Sequence, residues 1–240
     1  MPQMTGGQAL IKSLYREGVR VIFGLPGVQM YNAIDPILDE PGMRLITVRH
    51  EQAAAYMADG YARASGQPGT CMVVPGPGLL NASAAIGTAY AASSPVLVVS
   101  GQIQRDYIGK NVGILHEVND QQVAIQQVTK ATFRALDPRE VPGMVHEAFR
   151  ELRTGRPRPV EVEIPPETLA EVADIDLLEP GTYGRPGAPA DQVREAARII
   201  AAAKDPVIWA GGGVITSGGS DSLTRIAEHL QGLEKSMVTF

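Results

Sequence analysis

The sequence predicts an α/β protein: a doubly wound parallel sheet with helices on both faces, followed by an incomplete second α/β unit. Three observations predict it. Short apolar runs rich in β-branched residues alternate strictly with stretches of helical periodicity, the order of βαβ crossovers in a sheet covered on both sides. Turns rich in glycine and proline separate the runs, and a proline-rich acidic stretch interrupts the pattern before it resumes.

Thr5 is placed to cap a helix running to about Glu17 with Leu10, Ile11 and Leu14 inward, and Val19 to Phe23 reads as a strand. The turn Gly24-Leu25-Pro26-Gly27 leads into a helical stretch to Leu38. A short buried strand over Leu45 to Val48 follows, then a helix from Glu51 with the small residues Ala54, Ala55, Ala58 and Ala62 on one face. A strand over Thr70 to Val74, the turn Pro75-Gly76-Pro77-Gly78, a helix from Leu79 to about Ala91 and, past Pro95, a strand over Val96 to Ser100 repeat the pattern. Residues 101–120 show little periodicity and read as a long loop over the sheet, a feature that often carries function.

A helix near Asp120 to Gln126, a strand over Ala131 to Leu136, a helix from about Pro138 to Arg153 and a strand over Pro159 to Ile164 complete a first domain, residues 1–170. Prolines then cluster among acidic residues at Pro165, Pro166, Pro180, Pro186 and Pro189, so 171–189 reads as an extended linker. The segment 190–240 reads as a truncated second unit. In it Asp191 caps a helix to about Ala203, Pro206 to Ala210 is a strand, Gly211-Gly212-Gly213 turns the chain, and Ser220 to Leu230 is a helix. Met237 to Phe240 then reads as a strand with nothing after it, the mark of a chain cut short, because a lone βαβ unit builds no closed core.

Composition narrows the function classes. The 240 residues are 44% hydrophobic and 20% charged, with 26 Gly and 18 Pro, ordinary for a globular protein with many tight turns. A net charge of −5 with no Lys/Arg cluster argues against nucleic acid. No apolar stretch approaches a membrane span, and no basic segment followed by an apolar one opens the chain. The single cysteine, Cys71, lies in an apolar run and excludes an internal disulfide or a cysteine metal site, which fits the cytoplasm.

The best clue to chemistry is Glu51, a carboxylate where an apolar strand becomes an alanine-rich helix. There it would face the sheet edge at which open α/β sheets bind ligands. Alone, it is as well explained as an acid favouring the positive end of the helix dipole. The turns Gly24 to Gly27 and Pro75 to Gly78 end parallel strands at the same edge. Glycine lets backbone approach a flat ligand, and proline presets the turn. His50-Glu51 has no second histidine one turn on, so no zinc motif is present, and nucleophile-elbow and P-loop patterns are missing too. The triple glycine at 211–213 resembles half a dinucleotide fingerprint, but Thr216 stands where the third glycine belongs.

Together, Gly24-Leu25-Pro26-Gly27, Arg49-His50-Glu51 with the helix through Asp59-Gly60-Tyr61-Ala62-Arg63, Gly76-Pro77-Gly78 with Asn81, and Ser100-Gly101-Gln102 resemble the pyrimidine-binding domain of thiamine diphosphate enzymes, in the acetolactate synthase branch. The resemblance covers about residues 4 to 170, and the segment from 190 onward is similar to the start of that family's central domain. It implies that Glu51 hydrogen-bonds N1′ of the aminopyrimidine and drives the 4′-amino group to an imine that takes the thiazolium C2 proton. It also implies that Pro26, Gly27, Pro77 and Asn81 shape the pyrimidine pocket. A 2-oxo acid substrate, a homodimer or tetramer, and Mg²⁺ and diphosphate held by a pyrophosphate-binding domain of a second subunit are implied as well. Whether FAD occupies the central domain, as in some relatives, stays open.

Three departures from the family pattern stand out. Pro75 replaces the usual Ser or Thr before Gly-Pro-Gly. Leu115-His116-Glu117 replaces Phe-Gln-Glu, which puts His116 on the substrate side, as a proton donor, a selectivity residue or an exposed histidine without a role. No Gly-Asp-Gly block with a downstream asparagine occurs, so the chain alone is expected to be catalytically silent. Two rival readings remain: a non-catalytic truncated chain acting as an interaction subunit, and a nucleotide-dependent oxidoreductase built on the triple glycine.

Overall fold

The chain opens on a strand that the periodicity does not predict, β1 (Gln3–Thr5), and Thr5 then caps helix α1 (Gly6–Arg16). The Thr5 hydroxyl accepts from the Gln8 N–H while the Gln8 side chain accepts from the Thr5 N–H, a reciprocal cap that fixes where the helix begins. Leu10, Ile11 and Leu14 are fully buried, as their spacing predicts. The computed structural model describes residues 2–184, 186–232, 238 and 239, which divide after Tyr183 into two compact units.

In the first unit the chain continues through β2 (Val21–Gly24), α2 (Tyr31–Ile34), β3 (Arg44–Thr47), α3 (Glu51–Ser65), β4 (Gly69–Val73), α4 (Pro77–Ala91) and β5 (Val96–Gly101). It then runs through α5 (Gln121–Ile125), β6 (Ala131–Arg134), α6 (Val141–Arg153), β7 (Val160–Ile164), α7 (Pro166–Ala170) and β8 (Val172–Asp174). Six strands form one parallel sheet in the order β3-β2-β4-β5-β7-β6, the doubly wound arrangement expected.

Alternation along the strands feeds two cores. Ile22, Met72, Leu97, Val99, Val160 and Val162 pack with α1 and α6 on one face. Phe23, Cys71, Val73, Val96 and Val98 pack on the other with the alanine-rich faces of α3 and α4 and with Ile125 of α5. At β7 the second face changes character, because Glu161 and Glu163 stand there fully buried.

Several elements differ from their expected form. β3 is an edge strand, so Leu45 and Ile46 are only partly buried. The helical stretch toward Leu38 breaks into 3-10 turns at Val28–Met30 and Asp35–Asp39 around the short α2, because Pro36 has no N–H to continue an α-helix. Helix α4 starts at Pro77 rather than Leu79, proline being well suited to a first helical position. Pro166 starts α7 in the same way at the end of the expected first domain, and within the expected linker β8 pairs antiparallel with β1.

The second unit contains α8 (Ala190–Ala202), β9 (Val207–Ile208), α9 (Gly212–Thr216), α10 (Ser220–Gly232) and β10 (Val238–Thr239), with β9 and β10 parallel. Pro189, not Asp191, occupies the cap position of α8, and Asp191 stands in its first turn. Gly212 and Gly213 open a short helix instead of turning the chain. Of the strand expected over Met237 to Phe240, Met237 and Phe240 lie outside the described residues.

Candidate active site

Because the sheet is parallel, the segments after β2, β3, β4 and β5 all emerge at one edge. The chain passes from β2 outward to β3 and then returns to place β4 on the other side of β2, which makes β2/β4 the topological switch point where open α/β sheets bind ligands. A cleft of about 490 Å³ opens there. It is lined by Leu25 to Gln29 after β2, Glu51 after β3, Val74 after β4, and Gln104 with Ile114 to His116 from the long loop after β5.

Glu51 is the first residue of α3, after His50, whose ring nitrogen caps the helix by accepting from the Gln52 N–H. It is 8% exposed. Its Oε2 accepts from Asn81 Nδ2 at 3.0 Å, a contact across the α3–α4 interface. Alanines on both helices make that contact possible: Ala54, Ala55, Ala58, Ala82, Ala85 and Ala89 are all buried, and their thin faces let the helices approach closely. Among the described residues no donor meets Glu51 Oε1. One carboxylate oxygen is therefore tethered and the other belongs to a group lining open space.

The glycines on either side of Val74 explain the shape of the floor. A Cβ at Gly27 would collide with one Val74 methyl, and a Cβ at Gly78 would press on the other while standing 3.5 Å from Glu51 Oε1. Backbone thus reaches the carboxylate where a side chain would block it. His116 sits across the cleft in the left-handed region at φ +70°, its Nδ1 2.6 Å from Gln29 Nε2. With the Gln29 amide nitrogen donating, the ring proton of neutral His116 resides on Nε2.

Pro26, Gly27, Glu51 and His116 therefore meet in one cleft, and Asn81 joins them through its hydrogen bond to Glu51. Pro77 does not line the cleft; it stands at the start of α4 and presets that helix. Gln29 and Val74 are site residues that sequence reasoning missed. Val74 was legible as the last residue of an apolar run at the right sheet edge, whereas Gln29 carries no periodic signal. Among the described residues, no three His, Cys, Asp or Glu side chains gather to hold a metal ion. A half-tethered acceptor at a cleft can take a hydrogen bond from a polar group of a molecule bound there.

Residues 4–128, just over half of the chain, match the family model described as "Thiamine pyrophosphate enzyme, N-terminal TPP binding domain". The chain belongs to the thiamine pyrophosphate enzymes. Within them it is similar to acetolactate synthases. It is 40% identical over 239 residues to the probable acetolactate synthase large subunit of Methanocaldococcus jannaschii, covering 95% of this chain and 39% of that protein. The acetolactate synthase large subunit of Haemophilus influenzae is 35% identical over 240 residues, covering 96% of this chain and 41% of that protein. The probable 2-ketoarginine decarboxylase AruI of Pseudomonas aeruginosa is also 40% identical, over 233 residues, 95% of this chain and 40% of its own length. The chain thus spans about two fifths of the length of the curated relatives it matches. No helix among its described residues is long and apolar enough to cross a membrane.

Proposed function

We propose that the first unit binds the aminopyrimidine half of thiamine diphosphate, with Glu51 as the activating group, in an enzyme that makes or breaks a bond beside the carbonyl of a 2-oxo acid. The observation that carries this reading is the Glu51 carboxylate, held by Asn81 through one oxygen while the other meets no donor among the described residues at the cleft. When bound, thiamine diphosphate supplies the carbanion chemistry. Glu51 Oε1 would hold a proton for the pyrimidine ring nitrogen, and the Asn81 bond to Oε2 fixes the rotation of the carboxylate. Pro26 and Gly27 pack the heterocycle, Pro77 presets α4, and Nε2 of His116 presents a hydrogen-bond donor toward the substrate side.

In this reading residues 171–189 join the pyrimidine-binding domain to the start of a central domain at 190. Mg²⁺ and the diphosphate are held by a pyrophosphate-binding domain that these 240 residues do not supply, and the pairing makes a homodimer or tetramer in the cytoplasm. Similarity to both an acetolactate synthase and a 2-ketoarginine decarboxylase supports a 2-oxo acid donor in a transferase or lyase reaction. A chain without the pyrophosphate-binding domain is then catalytically silent, and measurable pyruvate turnover by it alone would refute that requirement. The direct test is Glu51→Gln in the chain completed by a pyrophosphate-binding domain, reading hydrogen exchange at C2 of bound thiamine diphosphate by NMR. A drop of about 100-fold or more is expected of a lost acid–base group. Unchanged exchange removes Glu51 from the mechanism.

A further inference from the structure

Behind the cleft, on the face of the sheet that carries α3 and α4, lies a polar layer that the proposed chemistry does not use. Gln121, the first residue of α5, is 2% exposed at its centre. Its amide nitrogen lies 2.7 Å from Glu163 Oε2 on β7, 2.9 Å from the Gly101 carbonyl and 3.0 Å from Ser100 Oγ on β5. Its amide oxygen accepts the Gly76 N–H at 2.8 Å. The orientation of this amide is dictated by chemistry. A carboxylate and a carbonyl can meet only the NH₂ end, and a backbone N–H can meet only the oxygen. Glu163 is itself held by Arg134 of β6 and by Nε2 of Gln102, the residue after β5, at 3.2 Å, so the anchor of Gln121 on β7 is fixed from both sides.

What Gln121 anchors is the turn of the site. Pro75 has no N–H, so the Gly76 N–H is the first donor available there. Gly76 lies at φ +55°, and a Cβ on it would collide with the His116 carbonyl, so the long loop packs directly on the turn. Pro77 starts α4 at the next residue, and one turn on, Asn81 holds Glu51.

We infer that Gln121 is a positioning residue for the Glu51 site: its side chain fixes the Pro75–Gly78 turn, and through α4 and Asn81 that turn fixes the Glu51 carboxylate. This rests on the reading of Glu51 given above. The same amide ties the end of the His116-bearing loop to the turn, so the two walls of the cleft share one anchor. This buried amide draws its four neighbours from three segments, β5, β7 and the Gly76 turn, which is more than packing requires: an aliphatic residue would fill the space but join none of them.

The first measurement needs no variant. Amide hydrogen exchange of the chain should show Gly76 protected far above other turn amides, and exchange of Gly76 at the rate of exposed loop amides overturns the inference. Next, Gln121→Leu removes the bridge, and the isosteric Gln121→Glu keeps the acceptor for Gly76 while replacing the donor that meets Glu163. In the chain completed by a pyrophosphate-binding domain, Gln121→Glu should lower C2 exchange of bound thiamine diphosphate about tenfold while its KM for the cofactor stays within about twofold. If Gln121→Leu fails to fold, Gln121→Glu and the wild-type Gly76 amide carry the test. C2 exchange within twofold of wild type in a folded Gln121 variant, beside a crippled Glu51→Gln, overturns the inference while leaving Glu51 in place. Unchanged exchange in Glu51→Gln strikes the reading of Glu51 itself, and Gln121 loses its role with it.

Discussion

Two buried acid sites share one face of the sheet and differ in what meets their oxygens. Glu51, at the sheet edge, has one oxygen tied to Asn81 and the other, among the described residues, without a donor beside a cleft. Glu161 and Glu163, in the middle of β7, are fully buried and do not line that cleft. Burial pushes the Glu161 carboxyl well above the usual range, and the neighbouring Glu163 charge pushes it further against the hydrogen bond from Ser100. Burial also raises Glu163, opposed by Arg134, Gln121 and Gln102. Both displacements lie away from the cleft, in groups held by structural contacts. An acceptor with room beside it marks a binding site; a displaced protonation equilibrium alone does not.

The comparison breaks most visibly on stability. Glu163→Leu takes the buried partner from Arg134, leaving it only the more distant Asp120 at 3.8 Å, and strips an acceptor from Gln121 and Gln102, so unfolding free energy in urea should fall by about 3 kcal/mol. A loss under about 1 kcal/mol would mean that these groups find water instead. Glu51→Gln should show the opposite balance. Its effect of about 100-fold on C2 exchange corresponds to about 2.7 kcal/mol of barrier, while its unfolding free energy moves by less than about 1 kcal/mol. If Glu51→Gln destabilises as much as Glu163→Leu, the carboxylate at the edge belongs with the structural pair.

The alternation of strands and helices was legible because each element is local: β-branched runs between glycine and proline turns carry their own signal. Glu51 was legible for the same reason, as an acid at a strand-to-helix junction. What could not be read are features made by distant segments. β1 and β8 are three residues each, and residues 3 to 5 pair with 172 to 174, so neither has a pattern until the other is placed beside it. The strand over Pro159 to Ile164 was expected, but the burial of its two carboxylates depends on Arg134, Ser100 and Gln121, all remote in sequence. Gln29 and Gln121 act by meeting groups on other segments, which no periodicity encodes.

A smaller effect separates tethering from acid–base work. Asn81→Ala removes the hydrogen bond to Glu51 Oε2 and frees the carboxylate to rotate, yet leaves the acid in place. C2 exchange should fall about tenfold, about 1.4 kcal/mol, in line with one hydrogen bond to a charged group. A drop as large as that of Glu51→Gln would mean that Asn81 itself contacts the reacting heterocycle.

The finest test concerns pH, and it sharpens the contrast from the structural side. The folded-state value of Glu161 is raised above the 4.5 of a free carboxyl, so above pH 4.5 the folded chain binds more protons at this site than the unfolded chain. Its contribution to stability is fully present below pH 4.5 and is lost as pH climbs from there through the raised folded value. Glu161→Gln keeps an acceptor for Ser100 and, like the protonated acid, leaves one buried polar atom without a partner where Glu161 Oε2 now stands. It should therefore match the wild type at pH 3 and exceed it by under about 1 kcal/mol at pH 5. The gap then widens by no more than about 1.4 kcal/mol for each further pH unit until the folded value is passed. Urea titrations at several pH values read this directly. A variant that runs parallel to the wild type across the range would show Glu161 ionising in the fold as freely as in water, and the sheet pair would lose its distinction from an ordinary surface acid.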